Sequence, residues 1–265
     1  MSWRIDLNCD MGESFGAWSL GADEAIMPLI SSVNIACGFH AGDPDIMRRT
    51  VDCAVRHGVA VGAHPGYPDL AGFGRREMNV TAEETWNLVL YQVGALAAFA
   101  QANGTRLSHV KVHGALYNRA ARDRNVAEAI AKAIKDFDPA LVFVGLANSE
   151  LIHAAEKYGL RVAHEVFADR TYQPDGSLTP RTLPNAMVKD PQEAAARVIR
   201  MVKKGKVKAE NGVDLNVRPD TVCIHGDSPG ALELARVIRH ELEKAGIEIR
   251  SMNKVIAPTS ADSSG

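Results

Sequence analysis

Seven short apolar runs along this chain each end in a compact group of acids, histidines or glycines: residues 4–11, 33–41, 59–67, 110–115, 141–149, 162–170 and 221–228. Strands that finish in polar chemistry at one end predict a parallel barrel with a single polar face. The competing architecture is an open doubly wound sheet, which would concentrate such tips near one switch point. Because the polar tips follow all the strands, the pattern favours a distorted TIM-like (β/α)7 barrel. Residues 251–258 are a candidate irregular eighth edge.

Helical punctuation separates the strands. Asp43-Pro44 places a capping acid before a proline at the first helical position, and Gly58 closes that helix. Thr81 and Glu84 form a capping box for a long helix that stops near Asn103-Gly104. Further helices are expected over 23–31, 125–137, from Asn148 to Gly159, from Asp190-Pro191 to Gly205, and from Ser228-Pro229 to Gly246. Strand and helix thus alternate, as right-handed crossovers require.

Two segments interrupt the alternation. Residues 172–190 are rich in proline and turn residues and too long for a plain strand–helix connection, so they read as a lid or binding loop. In residues 206–218, Asn211-Gly212 lies between alternating residues and predicts a small hairpin inserted before the last strand. No linker divides the chain: residues 1–250 read as one barrel domain and 251–265 as a C-terminal segment, disordered at its end.

The 265 residues suffice for such a core, and a net charge of −2 gives no field to attract nucleic acid or an anionic membrane. The N-terminal residues lack the apolar stretch of an export signal. Cys9, Cys37, Cys53 and Cys223 contain no C-x-x-C pair, and three of them fall in expected strands, so the reading is a reducing, cytoplasmic setting without disulfides.

The first strand carries the sharpest local signal. Asp6, Asn8 and Asp10 alternate with Ile5, Leu7 and Cys9, which puts three polar side chains on one face. In a barrel that face is the interior, where carboxylates are costly unless partnered. They form either a packing network or, at Asp10 at least, a site; Glu13 follows at the same mouth. His40 and His64 end the next two strands. With Asp10 they suit a divalent metal, and equally hydrogen bonding or acid–base work. Lys111 and His113 share a face of the fourth strand, and a lysine inside a barrel needs a carboxylate such as Asp10 or Glu165, or a substrate anion. Later strands add Glu165, Asp169-Arg170, His225 and Asp227. Arg75 lies in a glycine–arginine loop. No P-loop, no G-x-G-x-x-G after a strand and no G-x-S-x-G elbow occurs, which argues against a classical nucleotide fold or a serine esterase.

The blocks DLNCDMGESFG, NIACGFHAGD, GAHPGYPDLAGFGRR, HVKVHGALYN, EVFADRTYQPDGSLTPR and VCIHGD resemble, in order, those of the LamB/YcsF family. The resemblance covers residues 5 to about 249. One departure is Val112, where members often have proline; it bears on backbone rigidity more than on chemistry. The resemblance implies a seven-stranded barrel of the glycoside hydrolase/deacetylase type. It also implies the role of the A subunit of 5-oxoprolinase, which opens 5-oxo-L-proline to L-glutamate. ATP is then the co-substrate, and subunits B and C (PxpB and PxpC) are the partners.

On that reading Asp10, helped by His64 or His40, positions or deprotonates water, while Lys111 and His113 hold the substrate carboxylate or stabilise developing charge. Asn8, Glu13, His40, Arg75, Glu165, Asp169, His225 and Asp227 bind or orient substrate. A divalent metal stays open, with Asp10, His40 and His64 as its ligands if bound, and so does a homo-oligomer. Two alternatives stand beside this: a metal-dependent amidohydrolase or deacetylase acting without ATP, and a non-catalytic binding subunit.

Overall fold

A computed structural model describes residues 3–226 and 230–256. Its sheet closes on itself. Strands β1 (Trp3–Met11), β2 (Ser32–Ala36), β3 (Ala60–His64), β4 (His109–Val110), β5 (Val142–Leu146), β6 (Arg161–Phe167) and β9 (Thr221–His225) pair in parallel, and β9 returns to β1 through Asp6–Asp10. This is the expected closed seven-stranded barrel. The β7–β8 hairpin (Lys206–Lys208 with Asp214–Asn216) stands before β9, also as expected.

The helices α1 (Asp23–Ile26), α2 (Pro44–His57), α3 (Ala82–Ala102), α4 (Gly114–Ala120), α5 (Arg124–Phe137), α6 (Glu150–Lys157), α7 (Pro191–Lys204) and α8 (Ala231–Lys244) fill most of the connections. Caps read from sequence are in place at α2 and α7, where Asp43 and Asp190 accept from first-turn amides and Gly58 and Gly205 close the helices in the left-handed region. Thr81 and Glu84 exchange bonds as a full capping box on α3.

Several expectations are corrected. The helix read over 23–31 is cut to four residues and a 3-10 turn (Met27–Leu29), because β2 starts at Ser32. The fourth strand ends at Val110, and His113 caps α4, a helix hidden from the sequence reading inside an apparent strand. Ser149, not Asn148, precedes α6; Asn148 takes a left-handed φ of 65° and bonds the Asn216 carbonyl. The extra edge is β10 (Ile247–Ile249), pairing with the start of β1, while α9 (Met252–Val255) is helical. Ser228-Pro229 and the tail from 257 lie outside the described residues.

Packing divides into two cores. The larger lies between sheet and helices and includes Leu7, Ile35, Leu96, Ile130 and Leu234. The smaller is Val142, Val144, Ala163 and Met252, with Ile256 against it. By strand alternation Val144 and Ala163 share the interior face with Glu165, so Met252 closes the amino end of the barrel. Among the described residues a cavity opens at the carboxyl ends of the strands.

Candidate active site

The barrel interior holds a continuous polar network where aliphatic layers are usual. At its base Asp6 accepts from Ser31 Oγ at 2.8 Å, Ser32 Oγ at 2.5 Å and Thr221 Oγ1 at 2.5 Å. Burial still pushes its carboxyl up to about 6, against the pull of those hydroxyls. One step higher, Asn8 Nδ2 donates to Thr221 Oγ1 at 2.7 Å and Glu165 Oε1 at 3.1 Å, and Asn34 Nδ2 donates to Asn8 Oδ1 and Asp10 Oδ1, each at 2.8 Å. Asn34 and Tyr117 were not singled out in the sequence. Tyr117 sits on the unforeseen α4 and donates to Glu165 Oε2 at 2.7 Å.

Above this, Lys111 Nζ lies 2.9 Å from both Asp10 Oδ1 and Glu165 Oε1, and 3.1 Å from Cys223 Sγ. Burial would lower the Lys111 ammonium, but Asp10, Cys223 and Glu165 hold it well above its usual range. Burial would likewise raise Asp10, yet His64 and Lys111 hold it well below the usual carboxylate range. The lysine is therefore consumed by two acids, and what it delivers is an ionised Asp10 at the cavity floor.

Four further groups converge beside Asp10. His64 Nδ1 meets the Lys111 carbonyl at 2.7 Å and His113 Nε2 the Phe73 carbonyl at 2.8 Å, so both of these nitrogens carry protons. Burial drives His113 well below its usual pKa, to the neutral form. The remaining nitrogens, His64 Nε2 and His113 Nδ1, then face each other at 3.0 Å. A proton or a cation has to lie between two such lone pairs. His40 stacks on His113 at 3.8 Å and puts Nε2 3.2 Å from Glu13 Oε1. The ligand atoms of Glu13, His40, His64 and His113 all fall within 4.8 Å of one another. Three nitrogens and one carboxylate oxygen at this spacing suit a divalent metal such as zinc. Asp10 touches His64 Nε2 at 3.3 Å but groups instead with Cys223 and His225.

Across the mouth, His225 Nδ1 lies 2.9 Å from both Asp169 oxygens, and the ring stacks on Phe167. Burial would raise Asp169, but His225 outweighs it and holds the acid below its ordinary value. The carboxylate fixes the imidazole so that Nε2 is its free face.

These groups surround a cavity of about 760 Å³. Asp10, Glu13, His64, Arg75, Lys111, His113 and His225 line it; Asn8, Glu165, His40 and Asp169 stand behind as buried supports. Residues 173–178 and 180–182, within the loop read from sequence as a lid or binding segment, form one wall. Asp227 lies outside the described residues. The mouth residues Tyr117, Phe167 and Arg181 were not foreseen, since none follows a strand directly with a polar tip.

Fold and site together define a closed parallel-barrel protein whose polar centre lies at the carboxyl ends of its strands. The chain belongs to the LamB/YcsF family, whose model matches residues 5–257. It is 57% identical over 250 residues to the 5-oxoprolinase A subunit of Oceanobacillus iheyensis, covering 94% of this chain and 97% of that one. Against the 5-oxoprolinase A subunit of Bacillus subtilis the identity is 54% over 252 residues, covering 95% and 98%. A crystal structure of the lactam utilization protein from Thermus thermophilus superposes with a TM-score of 0.89 at 53% identity, covering 94% of this chain and 99% of that one. Among the described residues no helix is long and apolar enough to cross a membrane.

Proposed function

We propose that this chain is the lactam-opening subunit of an ATP-dependent 5-oxoprolinase, acting on 5-oxo-L-proline with partner subunits B and C. One observation carries the reading: relatives named as the A subunit of 5-oxoprolinase match 94–95% of the chain at 54–58% identity. The site supplies chemistry that suits it. A five-membered lactam is a resonance-stabilised amide and a poor electrophile. Phosphorylation of its carbonyl oxygen by ATP makes the ring carbon open to water. Addition of water and cleavage of the ring C–N bond then give an acyl phosphate, and a second water releases phosphate and glutamate.

Asp10 is the base in this scheme. Its carboxylate is kept ionised by His64 and Lys111 and lines the cavity, so it can take a proton from the attacking water. His225, held by Asp169, is the acid that returns a proton to the ring nitrogen as it leaves. Lys111 and Asn34 bond Asp10 directly, and Asn8, Glu165 and Tyr117 brace that pair from behind, so all five act as positioning residues. A divalent metal held by Glu13, His40, His64 and His113 would polarise the carbonyl oxygen.

The converging lone pairs of His64 and His113 favour a second reading, a metal-dependent amide hydrolase independent of ATP. Both readings meet one experiment. The purified chain is analysed for bound metal, then mixed with subunits B and C and assayed for glutamate, omitting ATP and each subunit in turn. Strict dependence on ATP supports the first reading; metal with ATP-independent turnover supports the second. Asp10→Asn is expected to cost roughly 10²–10⁴ in turnover, the range of a lost general base, and near-normal glutamate release from a folded variant would remove Asp10 from that role.

A further inference from the structure

The substrate proposed above carries a carboxylate, and Lys111, the cation nearest the floor, is already shared between Asp10 and Glu165. The floor itself is acidic: Asp10 and Glu13 line it with Glu165 buried behind, and a substrate anion placed against them would be repelled. The negative group has to be held elsewhere in the cavity.

Arg170 and Arg181 lie on the wall formed after β6, and both line the cavity. Arg170 is buried, with 5% of its surface exposed, yet no carboxylate among the described residues lies within ion-pair distance of it. Its Nη2 donates to the Thr179 carbonyl, and its Nε meets no acceptor. Arg181 is exposed; among the described residues its Nη1 meets the Met187 sulfur at 3.9 Å, and its charge adds to that of His225 in holding Asp169 low. Arg181 is near enough to weaken the ionisation of Arg170, which burial first and Arg181 second push down to about 10. Two like charges line one cavity, and among the described residues the nearest opposing charge, Asp169, is bonded to His225 and forms no ion pair with Arg170, so an incoming anion would relieve a cost that remains. Arg122, by contrast, is paired with Glu77.

We propose that Arg170 and Arg181 form an oxyanion subsite that binds the substrate's carboxylate and so orients the lactam ring over the neighbouring Asp10 and His225. Arginine suits this role because its planar fork matches a carboxylate in two hydrogen bonds. The assignment of the anion to a lactam carboxylate rests on the function proposed above; the subsite's taste for an oxyanion does not.

The test is a binding titration of the full chain with 5-oxo-L-proline, with neutral 2-pyrrolidinone and with inorganic phosphate. Wild type is expected to bind 5-oxoproline at least about tenfold more tightly than 2-pyrrolidinone, in line with one charge-assisted contact. Arg181→Met, at an exposed position, is expected to narrow that gap severalfold, and Arg170→Lys to narrow it as well. Equal affinity for both lactams, or an undiminished gap in both variants, overturns the proposal. Phosphate binding that Arg181→Met abolishes, with no lactam bound, keeps the oxyanion subsite and removes the lactam reading. Failure of every anion to bind removes the subsite.

Discussion

Lys111 carries a full charge into a barrel interior, and its neighbours explain why it survives there. Two carboxylates at 2.9 Å and a thiol at 3.1 Å replace the water it gave up. Removing it would leave Asp10 and Glu165 as buried acids without a counter-ion. Lys111→Met is therefore expected to destabilise the fold by about 3–5 kcal/mol, the usual cost of breaking a buried pair from one side; urea unfolding measures this. A loss below about 1 kcal/mol would show that the two acids are protonated in the native state. The alternation of Asp6, Asn8 and Asp10 made the polar interior legible in the sequence, and so did the spacing of Lys111 and His113. What could not be read was the direction of each group. Whether Lys111 faces a substrate or two acids depends on Glu165, which is 54 residues away in the chain. Which His64 nitrogen is free depends on a backbone carbonyl.

Elements followed their caps more faithfully than their periodicity. Asp43, Thr81 and Asp190 each start a helix where the sequence placed it, because a capping oxygen and the first-turn amides are local partners. α4 escaped because the apolar run of 110–115 looks like a strand until His113 turns out of the sheet, a choice set by contacts with the 65–74 loop. The strands also impose demands that one residue reveals. Gly62 on β3 is paired with His109 on β4, and a Cβ there would overlap the His109 ring. Gly62 is thus the space into which His109 packs, with Nε2 2.8 Å from Asn34 Oδ1. Gly62→Ala is expected to cost about 1–3 kcal/mol through overpacking and to displace Asn34. Gly58→Ala, in open space but at φ 66°, should cost about 1 kcal/mol from backbone strain alone. Comparing the two by urea unfolding separates close approach from strain: if Gly62→Ala costs no more than Gly58→Ala, the packing account is wrong.

At the scale of the whole molecule, the buried groups give stability opposing responses to acid. His40, His109 and His113 are held neutral by burial, His109 down to about 3. Each lowers stability as pH falls below about 6.5, because the unfolded chain takes up protons that the folded one refuses. Asp6 works the other way. Its folded value of about 6 lies above the ordinary 3.8, so between these limits the folded state binds the extra proton. Its contribution is complete below about pH 3.8 and lost as pH rises through about 6, and it amounts to about 3 kcal/mol. Asp6 therefore offsets part of the histidine penalty across the acid range. Asp6→Asn removes that offset while keeping the polar shape. Urea unfolding between pH 7 and pH 4 should show the variant losing stability more steeply than wild type as pH falls, with most of the divergence between about pH 6 and pH 4. Parallel pH profiles would mean that Asp6 is ionised in the folded barrel, held so by Ser31, Ser32 and Thr221. The polar network beneath the site would then be a charged one down to its base.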